Sequence, residues 1–191
     1  IRSTLDPRGL LARPDELYFE DSRMLHKRFP QLAHNVIPRV RGTWPALTEA
    51  GVRRVEELIK ARLVNVSSKV DAELRARIAD RMSALRRVFD DEGVLDELDG
   101  LEILRTAHLE VSYRAELFGH PYEIGPEVVD AIYLPDEHQL VYAEQAPDRA
   151  LAREIARAIA PDDDPGPLAM RLEPILSATS VEEAHGALDD F

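Results

Sequence analysis

The stretch that decides the fold is LEVSYRAELFGHPYEIGPEVVDAIYLPDEHQLVYA, residues 109–143. Its first nine positions alternate apolar with polar residues, the period-two pattern of a half-buried strand. Turn-forming Gly and Pro then separate further short apolar segments. We predict an antiparallel β meander of three or four strands, with strand segments at 109–117, 122–124, 128–134 and 140–143 and turns at 118–121 and 135–138.

Helical patterns follow this stretch. Leu151, Ile155 and Ile159 recur at helical spacing after Pro147-Asp148, a favourable start for a helix. A second helix is predicted around 168–176, and a third begins at Ser180, which forms a capping-box pair with Glu183. Strands followed by helices predict an α+β fold, with a small antiparallel sheet packed by the C-terminal helices.

The N-terminal part reads as mainly helical. Short apolar clusters alternate with Pro and Gly over residues 13–63, which is typical of short helices and turns. A longer helix is predicted from the apolar positions Val70, Leu74, Ile78, Met82, Leu85 and Phe89. The acidic run 90–100 is then a joint between a helical subdomain, 1–95, and a subdomain of β meander plus helices, 100–191.

Composition limits the class of protein. The chain has 191 residues, is 45% hydrophobic and contains no cysteine, which excludes disulfides, thiolate zinc sites and a cysteine nucleophile. It has neither a secretory signal pattern nor an apolar run of the roughly 20 residues that a membrane-spanning helix needs. We expect a cytoplasmic protein without membrane contact and, because Ile1 rather than Met comes first, a piece of a longer one.

The net charge of −12 is unevenly distributed. Residues 1–100 hold 18 Lys and Arg against 17 Asp and Glu, whereas residues 101–191 hold 6 against 19. Nucleic-acid affinity depends on basic groups, so nucleic acid is an unlikely partner and the second half cannot supply its surface. An accessory nucleic-acid-binding role remains an alternative, and it would use Arg39, Arg41, Arg53, Arg54 and Lys60.

The segment Arg153-Glu154-Ile155-Ala156-Arg157 stands where the H-E-x-x-H helix of a zinc peptidase would stand. Arginine replaces both histidines, and a guanidinium has no lone pair for zinc. A degenerate zinc-peptidase-like domain is one alternative. We favour a structural interpretation in which Arg149, Arg153 and Arg157 face solvent, opposite the apolar stripe.

The sequence shows no other motif of a catalytic or metal site. The six histidines include no pair at metal-binding spacing, and no glycine-rich phosphate loop occurs. We therefore assign no catalytic residue, no metal and no cofactor. A hydrolase assembled from scattered acids, for example Glu110, Glu116 and Asp130, stays open as an alternative.

A binding site is predicted for an anion or a protein partner. Arg39 and Arg41 precede Gly42 and Trp44 beside a predicted helix N-terminus. Basic and aromatic side chains at such a position can receive an anion.

Several phrases of the chain show a family resemblance. Three segments of the N-terminal part are similar to a region of the large sacsin-like and NO VEIN-like multidomain proteins. They are ARPDELYFED at 12–21, LHKRFPQLAHNV at 25–36 and TWPALTEAGVRRVEELI at 43–59. The later VDAIYLPDEHQLVYAE, LAREIARAIAPDDDPGPLA and EEAHGALDDF resemble the same group. The matching phrases are packing and turn patterns rather than chemical motifs.

The resemblance implies a region downstream of a GHKL-type ATP-binding domain. That ATP site uses Glu and Asn on a helix, whereas this chain has only Asn35 and Asn65, and neither has such a setting. No nucleotide-binding residue carries over. The implied role is a non-catalytic interaction or coupling module of a chaperone-like or defence-type ATPase, whose partners are other domains of the parent chain or a separate protein.

Overall fold

In the computed structural model of the chain, the described residues are 13–19, 25–32, 34–37, 44–88, 98, 100–117, 119–160 and 165–187. The chain forms two compact units. Unit 1 comprises Ile1–Arg62 and Ser112–Pro126, and unit 2 comprises Leu63–Val111 and Glu127–Phe191. Each unit uses two separate stretches of chain, so this division differs from the predicted subdomains 1–95 and 100–191.

Ten strands occur among the described residues. In chain order they are β1 (Tyr18–Phe19), β2 (Val36–Ile37), β3 (Arg53–Arg54), β4 (Ile59–Leu63), β5 (Ser68–Val70), β6 (Glu102–Thr106), β7 (Glu110–Leu117), β8 (His120–Val128), β9 (Ala131–Leu134) and β10 (Gln139–Ala143).

The described α-helices number seven: α1 (Trp44–Glu49), α2 (Val55–Leu58), α3 (Ala72–Asp80), α4 (Met82–Val88), α5 (Asp148–Ile159), α6 (Pro165–Ser177) and α7 (Val181–Gly186). Short 3-10 helices cover Pro14–Glu16, Leu25–Arg28 and Pro30–Leu32. None of these helices is long and apolar enough to cross a membrane.

Unit 1 contains short helices, as predicted, but very short strands lie between them. β1, β2 and β3 have two residues each and pair in parallel, in the order β2-β1-β3. Leu17, Phe19 and Val52 form a small buried cluster beside them. Proline begins two of the 3-10 helices, where its missing N–H costs no hydrogen bond.

The alternating segment that opens the quoted stretch is a strand, as predicted. β7 buries Val111, Tyr113 and Leu117, while Arg114 and Glu116 are exposed. It lies between β4 and β8 in a three-stranded sheet.

Unit 2 is built on a four-stranded sheet of order β5-β6-β10-β9. β9 and β10 form the predicted antiparallel hairpin, and β5 pairs antiparallel with β6. β10 is parallel to β6. The strands of 103–143 therefore belong to two sheets rather than to one meander, because β7 pairs with β4 and β8 with β7, whereas β10 pairs with β6.

Helices pack on one face of this sheet. Ile103, Tyr133, Leu140 and Tyr142 join the buried core that α3, α4, α5, α6 and α7 complete. Side chains at directly paired positions point to the same face, which explains why Leu140 of β10 and Tyr133 of β9 share this core. The α+β class is thus confirmed.

The long helix predicted from 70 to 89 is wrong in two respects. Val70 belongs to β5, and the helix is divided at Arg81 into α3 and α4. Leu74, Ile78 and Leu85 are buried as their spacing predicts, whereas Phe89 lies outside the described residues.

Arg81 explains the interruption. Its buried side chain donates to the carbonyls of Arg77 and Ala178, so one guanidinium caps the last turn of α3 and the end of α6. A positive charge at a helix C-terminus also complements the helix dipole.

The predicted cap of α7 is present with one change of partner. The Glu183 amide donates to Ser180 Oγ at 3.1 Å. The Glu183 carboxylate accepts from the amide and hydroxyl of Thr179, at 2.7 and 2.6 Å. Hydrogen bonds from Thr179 lower the pKa of Glu183.

Leu85→Ala tests the importance of this core. Leu85 is 1% exposed and lies in the buried cluster of unit 2. We expect a loss of about 2–5 kcal/mol in the free energy of unfolding, the usual range for a large-to-Ala change in a packed core. Urea denaturation measures it, with exposed Arg86→Ala as the control; a loss for Leu85→Ala within about 0.5 kcal/mol, as at a surface position, would contradict the packing.

Candidate functional site

The predicted anion- or partner-binding residues fall largely outside the described residues. Arg39 and Arg41 are not among them, and Trp44 is described only as the first residue of α1. This site therefore stays a prediction.

Two of the candidate nucleic-acid-binding residues, Arg53 and Arg54, have partners within unit 1. Arg53 lies over the ring of Tyr18, with 5.4 Å between Cζ and the ring centroid, and its Nη2 is 3.2 Å from the Tyr18 hydroxyl. Arg54 pairs with Glu57 at 3.2 Å. Since neighbouring strand residues point to opposite faces, Arg53 and Arg54 do not form one continuous basic surface.

The three scattered acids do not form one site, because Glu116 lies far from Glu110 along β7. Glu110 contacts His108 at 3.2 Å, and Glu116 is exposed six positions further along β7, about 20 Å away in an extended strand. The backbone carbonyl of Asp130 accepts from Ala143. Across the described ranges, no three His, Asp or Glu side chains are grouped so that they could hold a metal ion.

The segment that resembles a lapsed zinc motif forms a buried ion pair. Arg157 donates to Glu154, and these residues are 8% and 6% exposed. The prediction that Arg157 faces solvent is therefore wrong, although Arg149 and Arg153 are exposed. Residues three apart on a helix lie on one face, which lets Glu154 draw Arg157 into the interior.

Glu154 also holds α5 against the sheet. Its Oε2 accepts a 2.8 Å hydrogen bond from the backbone amide of Tyr133 in β9. β9 is an outer strand of the four-stranded sheet. A helix side chain thus provides an acceptor for a backbone amide that points away from the sheet.

Among the described residues of unit 2, a polar network centres on Asp71, which is 7% exposed. Asp71 accepts from the Leu74 amide at 2.9 Å and from the Tyr142 hydroxyl. Arg105 Nε lies 3.8 Å from Asp71 Oδ2. A single carboxylate thereby joins the start of α3 to β10 and β6.

The electrostatics of this network follow from burial and pairing. Burial raises the pKa of Asp71, but the hydrogen bonds from Tyr142 and Leu74, together with the charge of Arg105, lower it by more. The net pKa of Asp71 lies below its ordinary value. Burial, and then the bond to Asp71, raise the pKa of Tyr142 far above its ordinary value.

The network keeps an ionised carboxylate and a neutral phenol in place at neutral pH. Neither Asp71 nor Tyr142 is thereby prepared for proton transfer near pH 7, where a general base has its pKa. We interpret the Asp71 network as structural.

Sequence reasoning missed Asp71, although a signal for it exists. An Asp directly before a helical apolar pattern is a typical N-cap, and the side chain of Asp71 caps α3. The apparent periodicity from Val70 placed Asp71 inside the helix and concealed the cap.

Comparisons with known proteins gave no match: no protein-family model matches the chain, and neither the curated proteins nor the solved structures show a significant similarity. The resemblance to sacsin-like and NO VEIN-like proteins stays a prediction.

Asp71→Asn tests the carboxylate network. We expect a loss of about 1–3 kcal/mol in unfolding free energy at pH 7, because a charged acceptor for buried donors is removed. The pKa of Asp71 is lower in the folded chain than in the unfolded chain, where an Asp has a pKa of about 3.9. The ionised carboxylate therefore stabilises the fold fully above about pH 3.9, and this stabilisation is lost as the pH falls through the folded-state pKa. The difference between wild type and Asp71→Asn should therefore shrink below about pH 4.

Urea titrations at neutral and acid pH measure this dependence, with Glu73→Gln on the exposed first turn of α3 as the control. A difference for Asp71→Asn that stays constant with pH would contradict the lowered pKa of Asp71.

Glu154→Ala tests the ion pair on α5. Removal of the carboxylate takes a partner from the buried Arg157 and from the Tyr133 amide, and we expect a loss of about 3–5 kcal/mol in unfolding free energy. Arg153→Ala, one residue away and exposed, should stay within about 0.5 kcal/mol of wild type. Equal effects of the two substitutions in thermal unfolding would refute a structural role for Glu154.

Proposed function

We propose that this chain is a non-catalytic interaction or coupling module of a larger multidomain protein, of the GHKL-type, chaperone-like or defence-type ATPase group that it resembles. Its partners are other domains of the parent chain or a separate protein. The proposal places the chain in the cytoplasm.

The observation that carries this proposal is the division of charge between the two units. Unit 1 holds 13 Lys and Arg against 10 Asp and Glu, a balance of +3, whereas unit 2 holds 11 against 26, a balance of −15; together they give the −12 of the chain. Many of the acids described in unit 2 are exposed, among them Glu102, Glu137, Glu144 and Glu182. Such a surface attracts a basic protein surface and accelerates its association.

The roles of the buried charges support a non-catalytic module. Asp71 and Glu154 bind the backbone amides of Leu74 and Tyr133, which makes them parts of the fold. In the zinc-peptidase alternative, Glu154 would have to face a metal, but its carboxylate is bound by Arg157. The bonds of Arg53 and Arg54 likewise weaken the nucleic-acid alternative.

Site-specific photo-crosslinking tests the proposal. A benzophenone amino acid replaces Glu137, in the turn between β9 and β10, or Thr48, which is exposed on α1 of unit 1. We expect a protein crosslink from position 137 in extracts of the source cells. It should disappear near 1 M salt, where the screening length is about 3 Å.

Matched charge variants make the test specific. The crosslink at 137 should weaken when three exposed acids of unit 2 are neutralised together, by Glu102→Gln, Glu144→Gln and Glu182→Gln. It should persist in the control, in which three exposed acids of unit 1 are neutralised by Glu49→Gln, Glu116→Gln and Glu123→Gln. Crosslinks to nucleic acid from position 48 would favour the nucleic-acid alternative. A protein crosslink whose yield changes neither with salt concentration nor with these charge substitutions would contradict the proposed electrostatic attraction.

A further inference from the structure

The two edges of the four-stranded sheet in unit 2 are treated differently. β9 and β5 are its outer strands. At β9, the outward amide of Tyr133 donates to Glu154 of α5, so a helix covers this edge. At β5, all three residues are exposed, and Val70 is 63% exposed.

The backbone of β5 points outward at a definable position. In an antiparallel pair, residues alternate between exchanging both hydrogen bonds and facing away from each other. The Asp71 amide donates to the Ile103 carbonyl at 2.9 Å, which makes Asp71 and Ile103 a bonded pair. Val70, opposite Leu104, therefore belongs to a non-bonded pair and directs its N–H and C=O to the open edge.

A basic row lies beside this open edge. Lys69 is opposite Arg105, and Arg105 is opposite Tyr142, so their side chains share one face across three strands. Lys69 is exposed and Arg105 is 50% exposed. Asp71, which contacts Arg105 from the interior, is already shared with Tyr142 and Leu74.

We propose that the β5 edge binds an extended segment of a partner protein by strand addition, and that an acidic side chain of this segment pairs with Lys69 and Arg105. Backbone bonds to Val70 supply the pairing, and the basic row supplies selectivity, as in other cases of strand addition. This inference deepens the proposed interaction function and rests on it.

Charge restricts the occupant further. A second copy would bring another unit 2 with the same balance of −15 to this edge, and like net charges oppose association. A strongly acidic segment would be repelled by the balance of −15 in unit 2. The occupant is therefore an apolar extended segment with one or two acidic residues.

A labelled peptide of about six residues, a usual strand length, with one Glu among Val and Thr serves as the probe for fluorescence polarisation. We expect saturable binding to the full chain. Val70→Pro removes the outward N–H without removing a bond to β6, since proline is tolerated on edge strands with that geometry. It should weaken binding at least about tenfold, a factor equivalent to about 1.4 kcal/mol, whereas Val70→Thr keeps the N–H and should bind as wild type.

Charge reversal tests the basic row. Lys69→Glu with Arg105→Glu should abolish binding, and the control Arg86→Glu, on the exposed side of α4, should preserve it. The same peptide with Lys in place of Glu should bind wild type weakly and the reversed variant better. Recovery of affinity in this swap shows binding at the row even if the double variant is less stable.

Three results would overturn the inference: no saturable binding to wild type, equal binding by Val70→Pro and Val70→Thr, or concentration-dependent dimerisation through β5 in sedimentation experiments. The peptide-binding assay measures binding at the β5 edge alone, whereas the crosslink at 137 measures association at the acidic surface of unit 2. The proposed function and this inference can therefore fail separately.

Discussion

The hydrogen bonding of Asp71 is the constraint on which unit 2 depends. Asp71 directly follows β5, and its buried carboxylate caps α3 and accepts a hydrogen bond from the Tyr142 hydroxyl of β10. Arg105 of β6 approaches this carboxylate from the exposed side. A buried charge is tolerated only when its partners are all in place. The geometry of Asp71 therefore ties the start of α3 to β6 and β10, the strands whose side chains Ile103, Leu140 and Tyr142 contribute to the apolar core.

The sequence predicted those elements whose pattern reflects a single local rule. The alternation over 109–117 follows from one buried face of β7, and the spacing of Leu151, Ile155 and Ile159 follows from their shared place in the core of unit 2. Pairing between distant strands was not predictable in this way. Period-two patterns indicate that a strand exists, but they do not identify its neighbour, so the parallel pairing of β6 with β10 was beyond local reasoning.

The errors at charged positions share a physical cause. Residue type alone predicts an exposed Arg157, because arginine is usually exposed, and apolar spacing alone predicts that Asp71 lies inside a helix, despite its cap signal. Long-range partners bear on both positions: Tyr142 binds Asp71, and the backbone amide of Tyr133 holds Glu154, which pairs with Arg157 on the same helix. Such partners lie outside the reach of local patterns. The predicted site at Arg39, Arg41 and Trp44 rests on local pattern alone.

The parallel pairing of β6 with β10 bears on synthesis of the chain by the ribosome. Glu102 and its partner Gln139 are 37 residues apart, and at about 5–20 residues per second the ribosome needs about 2–7 seconds to make the intervening chain. During that interval β6 has β5 as a sheet neighbour already made, but not β10. Until β10 has been made, the apolar side chains of β6 must be kept from non-native contacts. β7 and β8 are made during this interval, so they are the first strands that could compete with β10 for pairing with β6.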